Sequence, residues 1–344
     1  MKILIKHVGA LGDSVFFLPP IIHAYRKKYP KARITLLTAW GPRDKEGCFH
    51  SRGFDGFTLN LMMTNPEIDE LVHYSDRKQS LRKEICIEEG VRFATWNKTI
   101  LEKNKKKYDI FCEADSGVPH FEDPLQFLYK KYHLKSDFTN YKVYTTQSDK
   151  IIVDQIIKNY SRPRILICEG IEAETMRGWS REQTEELIKK IKKELGVNPI
   201  WFGSKYTIDY FGKKVNIRQS AEFASRFDLA IGVLSATMHI CAGVGVQTIM
   251  LYGGMPKKRG APEYFLNKYI KDQNKRHITI MAPECDTPCF LKKEDRSCVL
   301  FTNNTAWQSW QKPGEQKTKN CLVKISVESV FQTLKNTLKN RSLI

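Results

Sequence analysis

Two glycines and an aspartate near the start of the chain form the first pattern that could do chemistry. Gly9 and Gly12 enclose a turn that follows the apolar run Ile3-Leu4-Ile5, and Asp13 comes directly after it. The turn has neither G-x-G-x-x-G nor G-K-S/T, the patterns that cradle phosphates, and a carboxylate there would repel a pyrophosphate. It therefore predicts a site at which Asp13 serves as a base or an orienting acceptor. The competing interpretation makes Asp13 only the N-cap of the following helix.

A segment in the second half favours a bound diphosphate. Residues 234–239 follow an apolar strand and open a helix, so backbone N–H groups and the helix dipole would attract an anion. The hydroxyls of Ser235 and Thr237 could donate hydrogen bonds, and so could His239, although a lone histidine is more often an ordinary core residue. Gly253 ends the next strand, where a small residue lets a ligand approach the backbone. Together these residues predict a nucleotide-diphosphate site.

Three further charged residues lie where strands end. Arg177 follows the first strand of the second half and could hold a phosphate through two hydrogen bonds. A surface arginine beside a helix start explains it equally well. Glu113 and Asp115 follow a strand of the first half and would place two carboxylates at the edge of a cleft.

Four cysteines in a loop-rich segment suggest a metal. Cys285, Cys289, Cys298 and Cys321 could form a tetrahedral zinc or iron site of structural character. Their spacing is irregular and lacks the paired C-x2-C knuckles of zinc ribbons, so an ordinary set of free cysteines is the alternative.

Alternating strands and helices must position these residues. Pro19 and Pro20 predict that the first helix is kinked or begins only there, and residues 161–163 are the predicted linker between two domains. Hydrophobic patterns predict strands at 3–5, 33–38, 68–74, 108–112, 165–168, 199–203, 229–233 and 248–252, and helices at 85–106, 124–132, from 180, at 238–244 and from 326. The fold class is therefore α/β, with two doubly wound parallel sheets facing across a cleft.

The predicted domains span residues 1–160 and 161–325. A C-terminal helix at 326–344 could pack back on the N-terminal domain.

Composition restricts the partners and the compartment. The chain has 344 residues, 41% of them hydrophobic, and no run long enough to span a membrane. Lys6 interrupts the N-terminal apolar run, and nine cysteines fit a reducing compartment. We expect a cytoplasmic protein that could lie peripherally on the inner face of the inner membrane. A net charge of +18 favours an anionic partner, and without a nucleic-acid-binding motif no nucleic acid is expected.

Three segments resemble a known family. The opening ILIKHVGALGDSVFFLPPIIHAYRKKYPKARITLL resembles the start of glycosyltransferase family 9, the ADP-heptose:lipopolysaccharide heptosyltransferases. ETMRGWSREQ and DLAIGVLSATMHICAGVGVQTIMLYGG follow in the order of that family's donor-site motifs, while residues 40–160 match loosely. The resemblance implies a GT-B architecture of two Rossmann-like domains, an acceptor domain at 1–160 and a donor domain at 161–325. It also implies inverting transfer from an ADP-heptose-like nucleotide-sugar to a lipopolysaccharide-core or related glycolipid acceptor, with no cofactor required for catalysis.

The resemblance also implies roles for individual residues. Asp13 is similar to the family's general base, and Arg177 to the basic residue that holds the donor phosphates. Glu222 falls in the region that contacts the nucleoside ribose. The implied diphosphate-binding loop and helix start comprise Ser235, Ala236, Thr237, Met238 and His239. Some heptosyltransferase-like enzymes acting on proteins hold iron in the cysteine region.

One departure from the family pattern keeps alternatives open. Leu234-Ser235-Ala236 stands where the family usually has Asp-Ser/Thr-Gly, which removes a carboxylate from the donor side. A heptosyltransferase that uses the same donor on a protein acceptor is one alternative. A non-catalytic protein that binds a nucleotide-sugar or a nucleic acid is the alternative of a different class.

Overall fold

The described part of the chain forms two compact units. The structure is a computed structural model that describes residues 1–8, 11–39, 57–74, 92–114, 123–135, 141–168, 179–202, 209–210, 213–214, 216–253, 257–283 and 321–344. The N-terminal unit contains Met1–Ile156 and Asn216–Phe223, and the C-terminal unit contains Ile157–Val215 and Ala224–Ile344. The predicted domain boundary lies at residue 160, and residues 216–223 belong to the predicted second domain.

The N-terminal unit is built on a parallel five-stranded sheet. Its elements are β1 (Lys2–His7), α1 (Leu11–Lys28), β2 (Arg33–Ala39), α2 (Phe57–Met62), β3 (Glu70–Tyr74), β4 (Arg92–Trp96), α3 (Lys98–Lys105), β5 (Ile110–Glu113), α4 (Pro124–Lys131), α5 (Gln147–Ile157) and α7 (Ile217–Ala224). The strand order is β4-β3-β2-β1-β5, with every pair parallel. The apolar run that predicted β1 explains its interior place between β2 and β5, because Ile3, Leu4 and Ile5 are fully buried.

The first helix begins earlier than its prolines suggested. α1 starts at Leu11 and continues through Pro19 and Pro20, so the prediction that it starts only at the prolines is wrong. Both prolines are buried. They remove the hydrogen bonds that would end on the carbonyls of Val15 and Phe16. Burial of nearly the whole middle of the helix compensates, since packing rather than propensity stabilises most protein helices.

The predicted helix at 85–106 is wrong in part. The chain instead forms β4, which pairs with β3 in the register Glu70 to Arg92 and Tyr74 to Trp96, and only then forms α3. Asn97 separates the two elements, because its side chain accepts a hydrogen bond from the Ile100 N–H and caps α3.

The C-terminal unit repeats the α/β plan. Its elements are β6 (Ile165–Cys168), α6 (Arg181–Leu195), β7 (Ile200–Phe202), β8 (Asp209–Tyr210), β9 (Lys213–Lys214), β10 (Leu229–Val233), α8 (Ala236–Gly243), β11 (Gln247–Tyr252), α9 (Pro262–Leu266), β12 (Ile278–Met281) and α10 (Val327–Asn340). Five parallel strands follow the order β12-β11-β10-β6-β7, and β8 and β9 form a separate antiparallel pair. The prediction of an α/β fold with two parallel sheets is confirmed.

The last helix belongs to the C-terminal unit. α10 is capped by Ser326 and packs on α6, and Val330, Phe331 and Leu334 are fully buried in the core of this unit. The Trp179 indole N–H donates to the carbonyl of Ile325 at 3.0 Å, which fixes the chain just before the helix. The possible packing of this helix on the N-terminal domain stays a prediction. Within the described ranges, none of the helices has both the length and the hydropathy needed to cross a membrane.

The strand order reverses once in each parallel sheet. In the N-terminal sheet the order reverses between β1 and β5, and in the C-terminal sheet between β6 and β10. Ligands of doubly wound sheets bind outside the carboxyl ends of the strands at such a reversal. The glycine turn follows β1 and the Ser235 segment follows β10, so both predicted sites lie beside a reversal in their own sheet.

Candidate functional site

Asp13 lies in the first turn of α1, after the carboxyl end of β1. Gly9 lies outside the described residues, while Gly12 is half-buried and Asp13 is exposed. Asp13 is the third residue of the helix, so the alternative that makes it the N-cap is wrong. The positive end of the helix dipole still favours a carboxylate at this position. The structure therefore presents Asp13 to solvent at the strand-order reversal.

Buried contacts hold the start of α1 in place. Ser14 is fully buried and its hydroxyl oxygen accepts a hydrogen bond from the Thr58 hydroxyl of α2 at 3.2 Å. The Phe17 ring meets the buried His7 ring in an edge-to-face arrangement with centroids 5.9 Å apart. These contacts restrict the position of the Asp13 backbone, although its side chain is exposed.

An ion pair spans the same reversal. Lys6 near the end of β1 donates to the carboxylate of Glu113 at the end of β5, with Nζ and Oε1 2.9 Å apart. The Tyr132 hydroxyl accepts from the Glu113 N–H at 2.8 Å and so fixes the backbone of that residue. Sequence reasoning identified Glu113 but missed Lys6, whose partner is 107 residues away. Asp115 lies outside the described residues.

In the C-terminal unit, Ser235 caps α8 directly after β10. Its hydroxyl oxygen accepts a hydrogen bond from the Met238 N–H at 3.4 Å. Ala236 and Thr237 are half-buried and occupy the first two helical positions, whose N–H groups have no acceptor within a helix. The arrangement offers two N–H donors and the Thr237 hydroxyl at the positive end of the helix dipole.

His239 and Met238 face the interior rather than this edge. The His239 side chain belongs to a buried residue that packs beside Gly260, and burial lowers its pKa to about 4. It is therefore neutral at pH 7 and supplies no positive charge for a phosphate. Met238 is fully buried, and its sulfur lies near Gly232. Core packing thus explains the positions of the His239 and Met238 side chains, although both residues belong to the predicted diphosphate-binding segment.

Three other predicted donor-site residues have different outcomes. Gly253 is half-buried and follows β11, the strand beside β10. Glu222 is only 4% exposed, lies in the N-terminal unit, and accepts a hydrogen bond from the Thr145 hydroxyl at 2.5 Å. Arg177 lies outside the described residues, so its predicted contact with donor phosphates stays a prediction.

The predicted metal site falls largely outside the described residues. Cys285, Cys289 and Cys298 are not described, and Cys321 opens a short 3-10 turn. Across the described ranges no group of three or more His, Cys, Asp or Glu residues could hold a metal ion. The structural zinc or iron at these cysteines stays a prediction.

Solved structures share this fold although sequence comparison finds no relative. No family model and no curated protein matches the chain. The fold is similar to a glycosyl transferase family 9 structure from Veillonella parvula, with a TM-score of 0.61 and 14% identity over 98% of this chain and 97% of that chain. It is also similar to Escherichia coli ADP-heptose lipopolysaccharide heptosyltransferase II, with a TM-score of 0.55 and 15% identity over 99% and 100% of the two chains.

A third similar structure contains a bound donor. It is the dodecameric iron-containing heptosyltransferase TibC in complex with ADP-D-β-D-heptose, with a TM-score of 0.51 and 10% identity over 98% of this chain and 78% of that chain. The chain resembles all three along almost its whole length, and it therefore has the fold of the glycosyltransferase family 9 structure.

Proposed function

We propose that this protein is an inverting glycosyltransferase of GT-B architecture that transfers a heptose from an ADP-sugar to a lipopolysaccharide-core sugar or a related acceptor. The main support is the similarity of fold, over 97% and 100% of their chains, to a family 9 glycosyltransferase and a heptosyltransferase. In this proposal the N-terminal unit binds the acceptor, the C-terminal unit binds the donor, and the two face each other across a cleft.

The proposed chemistry divides between the two units. Asp13 takes the proton from the acceptor hydroxyl as that oxygen attacks the anomeric carbon of the donor sugar. The bond from that carbon to the diphosphate breaks on the opposite face, which inverts the configuration. Donors at the start of α8 and the guanidinium of Arg177 stabilise the negative charge that develops on the leaving diphosphate. No step depends on a metal ion.

The charge of the chain bears on the acceptor. With 56 Lys and Arg against 38 Asp and Glu, the protein favours a phosphorylated, membrane-borne acceptor, since basic surfaces are attracted to anionic membranes. An acceptor protein is the alternative. Incubation with ADP-heptose and either heptose-free lipopolysaccharide or a bacterial protein extract, followed by mass spectrometry of each fraction, distinguishes the two.

Calorimetric titration with ADP, UDP and GDP tests the donor assignment. We expect saturable binding of ADP that exceeds binding of UDP and GDP at least tenfold. Ser235→Ala should weaken ADP binding, because it removes a hydroxyl and loosens the helix start. Ser326→Ala is the matched control, since it removes the same kind of cap from α10 at a similar cost of about 1 kcal/mol. Binding of RNA without binding of any nucleotide would show that the protein is not a transferase.

A further inference from the structure

A small pocket with charged side chains in its lining lies at the edge of the N-terminal sheet opposite the turn that carries Asp13. It has a volume of about 200 Å³, and much of its lining comes from the first residues of β1, β2 and β3, among them Lys2, Arg33 and Glu70. Because the strands are parallel and β1 spans roughly 17 Å, its amino end and its carboxyl end are separate surfaces. The proposed transferase chemistry leaves this pocket unused.

The pocket continues the layer between the sheet and α3. Leu4, Leu37, Val72, Trp96 and Leu101 form an apolar cluster on that face of the sheet. Residues two positions apart in a strand share a face. The pocket side chains of β1 to β3 therefore belong to the same face as this cluster, at its open end. Trp96 belongs to both and gives the pocket an apolar wall.

Positive charge predominates in the pocket lining. Lys2, Arg33 and Lys107 contribute three cations, against the single carboxylate of Glu70. Nearby, Asp109 accepts a hydrogen bond from the backbone N–H of Lys2 at 2.7 Å. Within the described ranges no carboxylate forms an ion pair with the ammonium group of Lys2 or Lys107. Two ammonium groups and a guanidinium in one small concavity favour an anionic group such as a phosphate.

A hydrogen-bonded chain fixes the polar wall. The Tyr108 hydroxyl donates to the hydroxyl oxygen of the fully buried Thr35 at 3.2 Å, and Thr35 donates to Oε2 of Glu70 at 3.1 Å. Arg33 donates to the same oxygen at 3.4 Å. Both contacts use Oε2, so among the described residues Oε1 of Glu70 and the side-chain amide of Asn104 have no hydrogen-bond partner and can bind ligand hydroxyls. The rings of Trp96 and Tyr108 also belong to the lining, and an aromatic ring can pack against the apolar face of a sugar.

We propose that this pocket is a binding site for a phosphorylated monosaccharide. The phosphate binds to the cations of Lys2, Arg33 and Lys107, and the sugar hydroxyls bind to Glu70 and Asn104. This binding does not depend on the proposed transferase activity, because the pocket and the Asp13 turn lie at opposite edges of one sheet.

Calorimetric titration of the full-length protein with glucose 6-phosphate tests the site. We expect saturable binding at one site, with at least tenfold weaker binding of glucose and of inorganic phosphate. Lys107→Glu should weaken binding of glucose 6-phosphate at least tenfold, because it places a second carboxylate in the lining. Lys135→Glu is the matched control, since Lys135 is an exposed lysine of the same unit that is not part of the lining.

Three other results of these titrations would contradict the proposal. Equal loss of binding in Lys107→Glu and Lys135→Glu would mean that only the overall charge matters. Equal affinity for inorganic phosphate and glucose 6-phosphate would show that the pocket does not recognise the sugar, and no saturable binding at 10 mM would show that there is no site. Lys2→Ala gives a second test if Lys107→Glu does not fold, and it should weaken binding at least threefold.

Discussion

Gly232 in β10 should tolerate replacement by alanine poorly. A Cβ atom added there would lie 2.4 Å from the carbonyl oxygen of Cys168 and 2.8 Å from its Cβ, both in the neighbouring strand β6. It would also lie 3.1 Å from the sulfur of Met238. The methionine could adjust, but the carbonyl belongs to a paired backbone. The two strands would therefore have to separate by roughly 1 Å, since carbon and oxygen normally approach to about 3.3 Å.

Because β6 and β10 would have to separate, Gly232→Ala should lower the free energy of unfolding. Overpacking a core costs typically about 1–3 kcal/mol, and we expect the upper end, about 3 kcal/mol, because backbone rather than a flexible side chain must move. For a unit of this size each kcal/mol lowers the melting temperature by about 2–4 °C, so the decrease should be about 6–12 °C. Urea unfolding followed by circular dichroism measures the free energy, and thermal unfolding measures the temperature.

Two other glycines serve as controls. At Gly260 an added Cβ would lie 3.5 Å from Leu234 and 3.6 Å from His239, which are ordinary contact distances, so Gly260→Ala should change stability by less than about 1 kcal/mol. Gly196 ends α6 with φ +66° and no described atom within 4 Å of the added carbon, so Gly196→Ala should cost about 1 kcal/mol through backbone strain alone. Equal melting temperatures for Gly232→Ala and Gly260→Ala would refute the reasoning.

Three further predictions concern other parts of the chain. Asp13→Asn should reduce transfer from ADP-heptose by a factor of about 10² to 10⁴ while changing the free energy of unfolding by less than about 1 kcal/mol; full ADP release by the variant would contradict its role as the base. Phe331→Ala in α10 should cost about 3–5 kcal/mol in urea unfolding because the ring is fully buried, whereas Asn336→Ala, at an exposed position of the same helix, should cost almost nothing. His239 has a folded pKa of about 4 and an unfolded pKa of about 6.5, so the unfolded state binds the proton first and stability present above pH 6.5 is lost as the pH falls towards 4. Between pH 7 and pH 5 the loss from this residue should be about 2 kcal/mol, and His239→Asn should show a correspondingly weaker pH dependence of the urea midpoint.

Local signals in the sequence predicted most of the fold. Ser180 and Ser326 each precede a helical pattern of apolar residues, which predicts that a helix begins there. The structure confirms that they cap α6 and α10. β4 was missed because the sequence from 85 to 106 contains helix-favouring charged residues on both sides of a short strand. A strand of five residues gains its stability from pairing with β3, and that pairing depends on a partner distant in sequence.

The positions of the candidate site residues in the fold were predictable where they depended on the order of strands and helices along the chain, and not where they depended on burial. The turn after β1 and the segment after β10 were recognisable from the alternation of strands and glycines, and the strand order then placed each at a reversal. Glu222 could not be placed in this way. Its helix joins the N-terminal unit, in which the buried Arg218 and Asp149 lie 3.2 Å apart. Such a pair is visible only once the fold brings the two segments together.

Leu234 changes how the C-terminal unit can hold an anion. Its side chain is half-buried and approaches the position of a Cβ on Gly260, so it packs beside the neutral His239 ring instead of extending a carboxylate. The described groups at the start of α8 are then the N–H groups of Ala236 and Thr237 with neighbouring hydroxyls, all of them uncharged. Neutral donors discriminate an anion by direction and distance, and they are screened by salt far less than exposed cations are. In the proposed function, a leucine at this position also keeps a repulsive negative charge away from the phosphates. In the proposed function, a diphosphate at the start of α8 is therefore held by backbone N–H groups and hydroxyls rather than by a charged side chain at position 234.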